Sequence, residues 1–328
     1  MQITKYFMKQ KMMRTVLWSL LPIYLFSIYL FGWRVLLVLA VSLVTAFAGE
    51  LFILRMISGD KAKVTEAAFV TAGLFTLTLP PTVPIWIVVV GTLFGIIFGK
   101  AIFGGFAKNV FNPALVGRAF VYVSFPAQMT MQWQKPFGGF PGGLLKWSGA
   151  VDMATEVTPM INMNVNGIAA SPLNLLIGNI SGSMGETSAI LIILAGAYLI
   201  YTKTASWKIM ASVTASGLVF SLFFNMLGAT NVNPLFTLLS GGFLFGTVFM
   251  ATDPVSAPMK DPGKIIYGIL IGFITIVIRT FSLFTEGMMF AILIGNSFAP
   301  LINMNVKNWE AKQKAKKAAL AAEQKEAI

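Results

Sequence analysis

The stretch PIWIVVVGTLFGIIFGKAIFG, Pro84 to Gly104, holds 21 residues and a single charge, Lys100. An α-helix needs about 20 apolar residues to cross a hydrocarbon core about 30 Å thick. Gly91, Gly95 and Gly99 recur every four residues. They share one helical face and let a second helix approach closely. Working outward, nine more apolar segments stand at approximately 14–31, 34–57, 64–79, 112–126, 187–202, 207–226, 234–251, 263–283 and 286–305. The expectation is an all-α integral membrane protein with ten transmembrane helices. The first segment contains Pro22 without a small-residue cleavage site behind it, so it reads as a retained helix rather than a signal peptide.

Composition agrees. Of 328 residues, 56% are hydrophobic and 11% charged, and the mean hydropathy is +0.78. A soluble protein of this make-up would lack the polar surface to cover its core. The net charge of +12 points to orientation in a bilayer and not to nucleic acid. With the N-terminus in the cytoplasm and every segment crossing, 19 of the 24 basic residues fall on the cytoplasmic side, which is the positive-inside asymmetry. Arg34, Lys135, Lys146 and Arg279 fall outside, and Arg118 lies within a segment. This topology puts both termini in the cytoplasm and the long 127–185 loop outside it. The basic, Ala-rich tail reads as a solvated helix touching anionic lipid.

The segments divide five and five. Residues 1–126 form a first repeat, 127–185 an extracytoplasmic loop, 186–305 a second repeat and 306–328 a basic cytoplasmic tail. Odd crossings per half imply inverted repeats. The fourth and ninth segments both carry glycines four apart, the latter at Gly268 and Gly272. The third and eighth segments both stop at prolines, in TLPPTVP (Thr78 to Pro84) and ATDPVSAP (Ala251 to Pro258). Broken helices leave backbone groups free to line a site. A cation passing the paired breaks would meet Asp253 with the hydroxyls of Thr78, Thr252 and Ser256, all oxygen ligands suited to a hard ion; the alternative is that Asp253 only caps its break. Among the other charges, Glu66, Lys100 and Asp253 read as interfacial. Arg118 has Glu66, Glu50 or a phosphate as candidate partners. Glu50 serves either structure or ion conduction.

The chain has no Cys and no His. Thiolate-held iron–sulfur clusters, imidazole-ligated haem and Cys/His zinc sites are therefore excluded. Redox chemistry would need an organic cofactor or a partner. DMATEVTP, Asp152 to Pro159, sits in the polar loop and offers threonines for attachment.

Four stretches together resemble one family: LTLPPTVP (Leu77 to Pro84), FGKAIFGGFAKNVFNPALVGRAF (Phe98 to Phe120), GETSA (Gly185 to Ala189) and FMATDPVSAP (Phe249 to Pro258). The chain resembles the NqrB/RnfD family of membrane subunits, found in the Na⁺-translocating NADH:quinone oxidoreductase and in the Rnf ferredoxin:NAD⁺ oxidoreductase. The resemblance covers about residues 10 to 305. It implies a urea-transporter-like fold of two inverted five-helix repeats in the cell's inner (cytoplasmic) membrane. It also implies FMN joined by a phosphoester to a threonine, installed by a flavin transferase from FAD, and leaves room for a second, noncovalent flavin such as riboflavin. The family motif, Asp-x-x-Ser/Thr-Gly-Ala-Thr, maps onto Asp152, Thr155, Glu156, Val157 and Thr158, with Glu156 and Val157 departing from Gly-Ala. Thr158 is the expected acceptor. Arg118 and the Glu186-Thr187-Ser188 turn are expected to border the flavin. The implied partners are the iron–sulfur and flavin subunits of the complex and the lipid bilayer. The chain enters the membrane within about 15 residues, which favours the Rnf-type subunit, a ferredoxin:NAD⁺ translocase moving Na⁺ or H⁺. The alternative is the NqrB-type subunit. A channel of the same architecture, and a purely anchoring subunit, are the rivals of a different class.

Overall fold

The computed structural model describes residues 7–59, 62–131, 133–147, 157–282 and 287–326. Helices dominate it. The first half holds β1 (Phe7–Met8), α1 (Lys11–Phe31), α2 (Arg34–Ser58), β2 (Val64–Thr65), α3 (Glu66–Leu77), α4 (Ile85–Gly99) and α5 (Pro113–Ser124). The connecting region carries α6 (Pro126–Thr130), α7 (Pro159–Asn166) and α8 (Pro172–Ile177). The second half holds α9 (Ala189–Tyr201), α10 (Trp207–Met226), α11 (Pro234–Leu239), α12 (Phe243–Phe245), α13 (Asp261–Phe281) and α14 (Gly287–Glu326). β1 and β2 pair in parallel.

Each described apolar segment contains helix, but not each is long enough to cross. Among the described residues six helices have the length and apolarity of membrane spans, α1, α2, α4 with the turn after it, α10, α13 and α14. The chain is thus a multi-pass membrane protein. α3 and α5 have 12 residues each and α9 has 13. At 1.5 Å per residue these span about 18–20 Å, short of the hydrocarbon core.

The breaks have local causes. After Leu77, the prolines at 80, 81 and 84 lack N–H donors and push their preceding residues out of the helical region. The eighth segment, expected as one helix, is divided by Ser240-Gly241-Gly242 and ends in a π turn at Gly246–Met250. Carbonyls freed by the breaks need donors. Arg34 donates from Nε to the Pro81 carbonyl at 3.0 Å and from Nη2 to that of Val83 at 2.8 Å. Arg279 donates to the carbonyls of Thr237 at 2.6 Å and Gly241 at 3.2 Å. Two arginines that charge counting placed at the outer ends of helices are thus the donors that hold the breaks.

Packing joins α2 to α4, α4 to α5, α10 to α13 and α13 to α14, while α1 lies on α9 and α5 on α14. The glycine rows lie in these contacts but serve different neighbours. A Cβ at Gly95 would stand 2.6 Å from the Pro113 carbonyl oxygen, and one at Gly117 2.5 Å from that of Gly91, so α4 admits α5. A Cβ at Gly272 would stand 2.8 Å from the Val213 carbonyl oxygen, so α13 admits α10.

Gly117→Leu forces α4 and α5 apart. Overpacking of this kind costs about 1–3 kcal/mol or more, and the variant should unfold in detergent well below the unsubstituted protein in a thermal scan. Gly138→Leu, with open space around it, should unfold with the unsubstituted protein.

Candidate functional site

Two polar centres interrupt the apolar core, one at each end of α3. The first lies where α3 ends. The N–H groups of Met184 and Gly185 donate to the carbonyls of Leu79 and Leu77, at 3.0 and 2.8 Å. Carbonyls that a helix C-terminus leaves orphaned are satisfied by the turn before α9. That turn presents Glu186, which forms a 2.5 Å ion pair with Arg118 of α5. Both side chains are buried. The pair settles the partner of Arg118: it is neither Glu50 nor Glu66.

Glu186 lines a small cleft with Trp133, Thr158, Met160, Ser183 and Gly241. Thr158 is the N-cap of α7, and its hydroxyl accepts from the Ile161 N–H at 3.4 Å. It is half-buried, and Pro159 follows at the first helical position, where a missing N–H costs nothing. Ser183 is 1% exposed, and its Oγ has no partner among the described residues. A buried hydroxyl left this way is costly unless something else uses it. Asp152, Thr155 and Glu156 lie outside the described residues. Thr187 and Ser188 are buried and do not line this cleft. Ser188 caps α9, accepting from the Leu191 N–H at 3.4 Å. Of the expected flavin-bordering residues, then, Thr158 and Glu186 share the cleft, Arg118 stands one ion pair behind it, and Thr187 and Ser188 are outside its lining.

The second centre lies where α3 begins. Lys100 is 2% exposed and Glu50 1%, so Lys100 is interior and not interfacial. Lys100 Nζ lies 2.9 Å from Glu50 Oε1 and donates to Thr65 Oγ1 at 2.5 Å. Thr65 in turn donates to Glu50 at 3.0 Å. Glu66, by contrast, faces Arg14 at 2.5 Å near the surface. Lys100 shares a cavity with Asn109, Asn112, Thr204, Thr252 and Asp253. Asp253 Oδ2 accepts from Ser256 twice, from the N–H at 3.1 Å and the hydroxyl at 2.7 Å. It caps its own break.

Asn112 and Asn296 join the halves here. The Asn112 N–H donates to Asn296 Oδ1 at 3.2 Å, and Asn112 Nδ2 donates to the Met250 carbonyl at 3.3 Å. Asn296 Nδ2 donates to the Tyr267 hydroxyl at 2.7 Å. NPALVGRAF and FMATDPVSAP, far apart in sequence, therefore meet. Thr78 does not join Thr252, Asp253 and Ser256. Its hydroxyl donates to the Phe75 carbonyl at 2.7 Å, at the other end of α3, about 20 Å of helix rise from the Lys100 end. The two breaks face opposite ends of the bundle. Among the described residues no three acidic side chains gather to hold a metal ion.

Sequence reasoning missed Trp133, Ser183 and Asn296. Only Asn296, a polar side chain inside an apolar segment, left a readable signal.

A family model described as "NQR2, RnfD, RnfE family" matches residues 2–312. Several NqrB-type proteins, named as components of the Na(+)-translocating NADH-quinone reductase, are similar. Those of Pseudomonas paraeruginosa and Azotobacter vinelandii are each 42% identical over 81% of this chain and 66% of their own length. That of Chromohalobacter salexigens is 43% identical over 74% of this chain and 58% of its own. The chain spans about two thirds of the length of the first two relatives. These relatives overturn the Rnf-type expectation. That expectation rested on how soon the chain enters the membrane, whereas the identity extends over 81% of the chain.

Arg118→Gln removes one partner of a buried pair and should destabilise the protein by about 3–5 kcal/mol. Adding Glu186→Gln should recover part of the loss, since no uncompensated charge then remains. Thermal unfolding of the single and double variants checks both statements.

Proposed function

The chain belongs to the NQR2, RnfD, RnfE family, and on that premise we propose that it is a membrane subunit of an ion-translocating NADH–quinone oxidoreductase complex, carrying FMN esterified through its phosphate to Thr158. The observation that carries this reading is the cleft at Thr158. Its acceptor hydroxyl stands at a helix N-cap, its buried Ser183 hydroxyl has no partner among the described residues, and Glu186, the one carboxylate among the described lining residues, is neutralised by Arg118. These residues fit a phosphoester. A phosphate on Thr158 Oγ would lie at the positive end of α7, where the first-turn N–H groups are donors. Without Arg118, Glu186 would repel it.

Attachment is a transfer from FAD by a flavin transferase. Thr158 Oγ bonds to the flavin-side phosphorus, the pyrophosphate P–O bond breaks, AMP leaves and the hydroxyl proton is released. Bound FMN supplies one- and two-electron chemistry at a fixed position. The protein's part is to hold the phosphate, shape the cleft and exclude water.

The finer architecture follows the same reading. The halves, 1–126 and 186–305, are inverted repeats, supported by the pairings of α1 with α9 and α5 with α14. Charge asymmetry supports an orientation with the Thr158 cleft outside the cytoplasm and the Lys100–Asp253 cavity on the cytoplasmic side. That cavity has apolar walls and convergent polar groups, Asn109 and Asn112 among them, and suits a second, noncovalent flavin. Partners are the complex's iron–sulfur and flavin subunits and the bilayer. Sodium is the coupling ion named in the relatives, and a hard cation near the second break would find Thr252, Asp253 and Ser256.

Thr158→Ala and Thr158→Asn should both abolish ultraviolet fluorescence of the denatured subunit on a gel. Asn keeps the N-cap, whereas Ala forfeits about 1 kcal/mol of it, so only the Ala variant should also lose stability. Fluorescence retained by either variant would refute Thr158 as the acceptor. Asp253→Asn in the assembled complex should lower ion transport, read as sodium uptake into vesicles. Unchanged rate and stoichiometry would remove Asp253 from the ion path.

A further inference from the structure

Trp133 borders the cleft that holds Thr158 and Glu186, and no motif accounts for it. Its side chain is 4% exposed. The indole Nε1 donates to the Thr130 carbonyl at 2.8 Å. That bond uses the only polar atom of the ring and fixes its orientation. What the ring offers the cleft is therefore its π system and apolar edge, not a hydrogen bond. A phosphate gains nothing from such a surface; a flat, conjugated ring does. The unpartnered Ser183 hydroxyl and the first turn of α7 are the polar part of the cleft, suited to the phosphate, which leaves the indole as its aromatic wall.

We propose that Trp133 is the wall against which the isoalloxazine of the Thr158-linked flavin packs, a positioning residue that fixes the ring relative to the bundle. The inference rests on the Thr158 reading and deepens it. It has a direct optical consequence. An indole in contact with an excited flavin gives it one electron and takes it back, which quenches flavin emission without net change in either group. Phenylalanine keeps the packing but is too poor an electron donor to quench. Ring contact also sets the polarity around the flavin, so replacing the indole shifts its midpoint potential.

The experiment uses the full complex in detergent, unsubstituted and with Trp133→Phe, Trp133→Leu or Trp147→Phe, the last at an exposed tryptophan. Fluorescence of the denatured subunit on a gel reports whether flavin is attached. Fluorescence decay of the native complex reports the contact. Attached flavin in all four, with decay lengthened several-fold in both Trp133 variants and unchanged in Trp147→Phe, is the expected result. Attached flavin with the decay unaltered in Trp133→Phe overturns the inference while leaving the Thr158 reading intact. No attached flavin in the unsubstituted protein sinks both. If Trp133→Leu fails to assemble, Trp133→Phe alone decides, because it preserves a buried ring.

Discussion

The buried ion pair between Arg118 and Glu186, 2.5 Å apart, is the contact on which the region around the end of α3 depends. Around it meet the end of α3, the middle of α5, the turn before α9 and the second-half break at Gly241–Gly242. A Cβ on Gly242 would stand 2.5 Å from Glu186 Oε1, so the break passes the carboxylate as closely as a backbone can. Taking two charges out of water costs several kcal/mol each, and only close pairing with further hydrogen bonds offsets it. Such a pair adds little net stability. Its value here is specificity: it holds a carboxylate, neutralised, in the same cleft as the Thr158 hydroxyl, the proposed flavin acceptor.

A second polar centre balances the first at the other end of α3. Lys100, Glu50 and Thr65 form a closed set of contacts, and Asn112 and Asn296 tie the halves together beside it. α5 joins the two centres. Asn112 caps its start and Arg118 lies six residues on, about 9 Å away by helix rise. A helix too short to cross a bilayer thus links a cavity at one end of the bundle to a cleft at the other. Irregular segments are held by arginine, Arg34 at the Pro81–Val83 break and Arg279 at the Ser240–Gly242 interruption of the eighth segment. This agrees with the rule that non-helical backbone at membrane depth is tolerated only where protein satisfies it.

Hydropathy was enough to locate the long helices, because apolar length is a local property, but not the short α7 and α8 inside the expected loop. The clean correspondence of the seventh segment with α10 shows this, both being 207–226. Contacts between distant residues were not legible. Lys100 looked interfacial because its burial depends on Glu50, fifty residues away. Thr78 looked like a partner of Asp253 because the two breaks match in sequence, yet Thr78 bonds the Phe75 carbonyl at one end of α3 and Asp253 lines the cavity at the other. The division of the eighth segment at Gly241–Gly242 was hidden in an unbroken apolar run, and its carbonyls need Arg279, which no local rule connects to them. Trp133 had no motif at all. The cleft itself was half legible: Thr158 and Glu186 were named from sequence, Ser183 was not.

The central claim is that Thr158 bears the flavin, and fragment mass spectrometry of the subunit from the native complex tests it most directly. The account predicts that the peptide spanning Thr158 carries the mass of FMN less water, with fragmentation placing the phosphoester on Thr158 Oγ. An unmodified peptide from flavin-loaded complex, or a modification placed on Thr155, would contradict it.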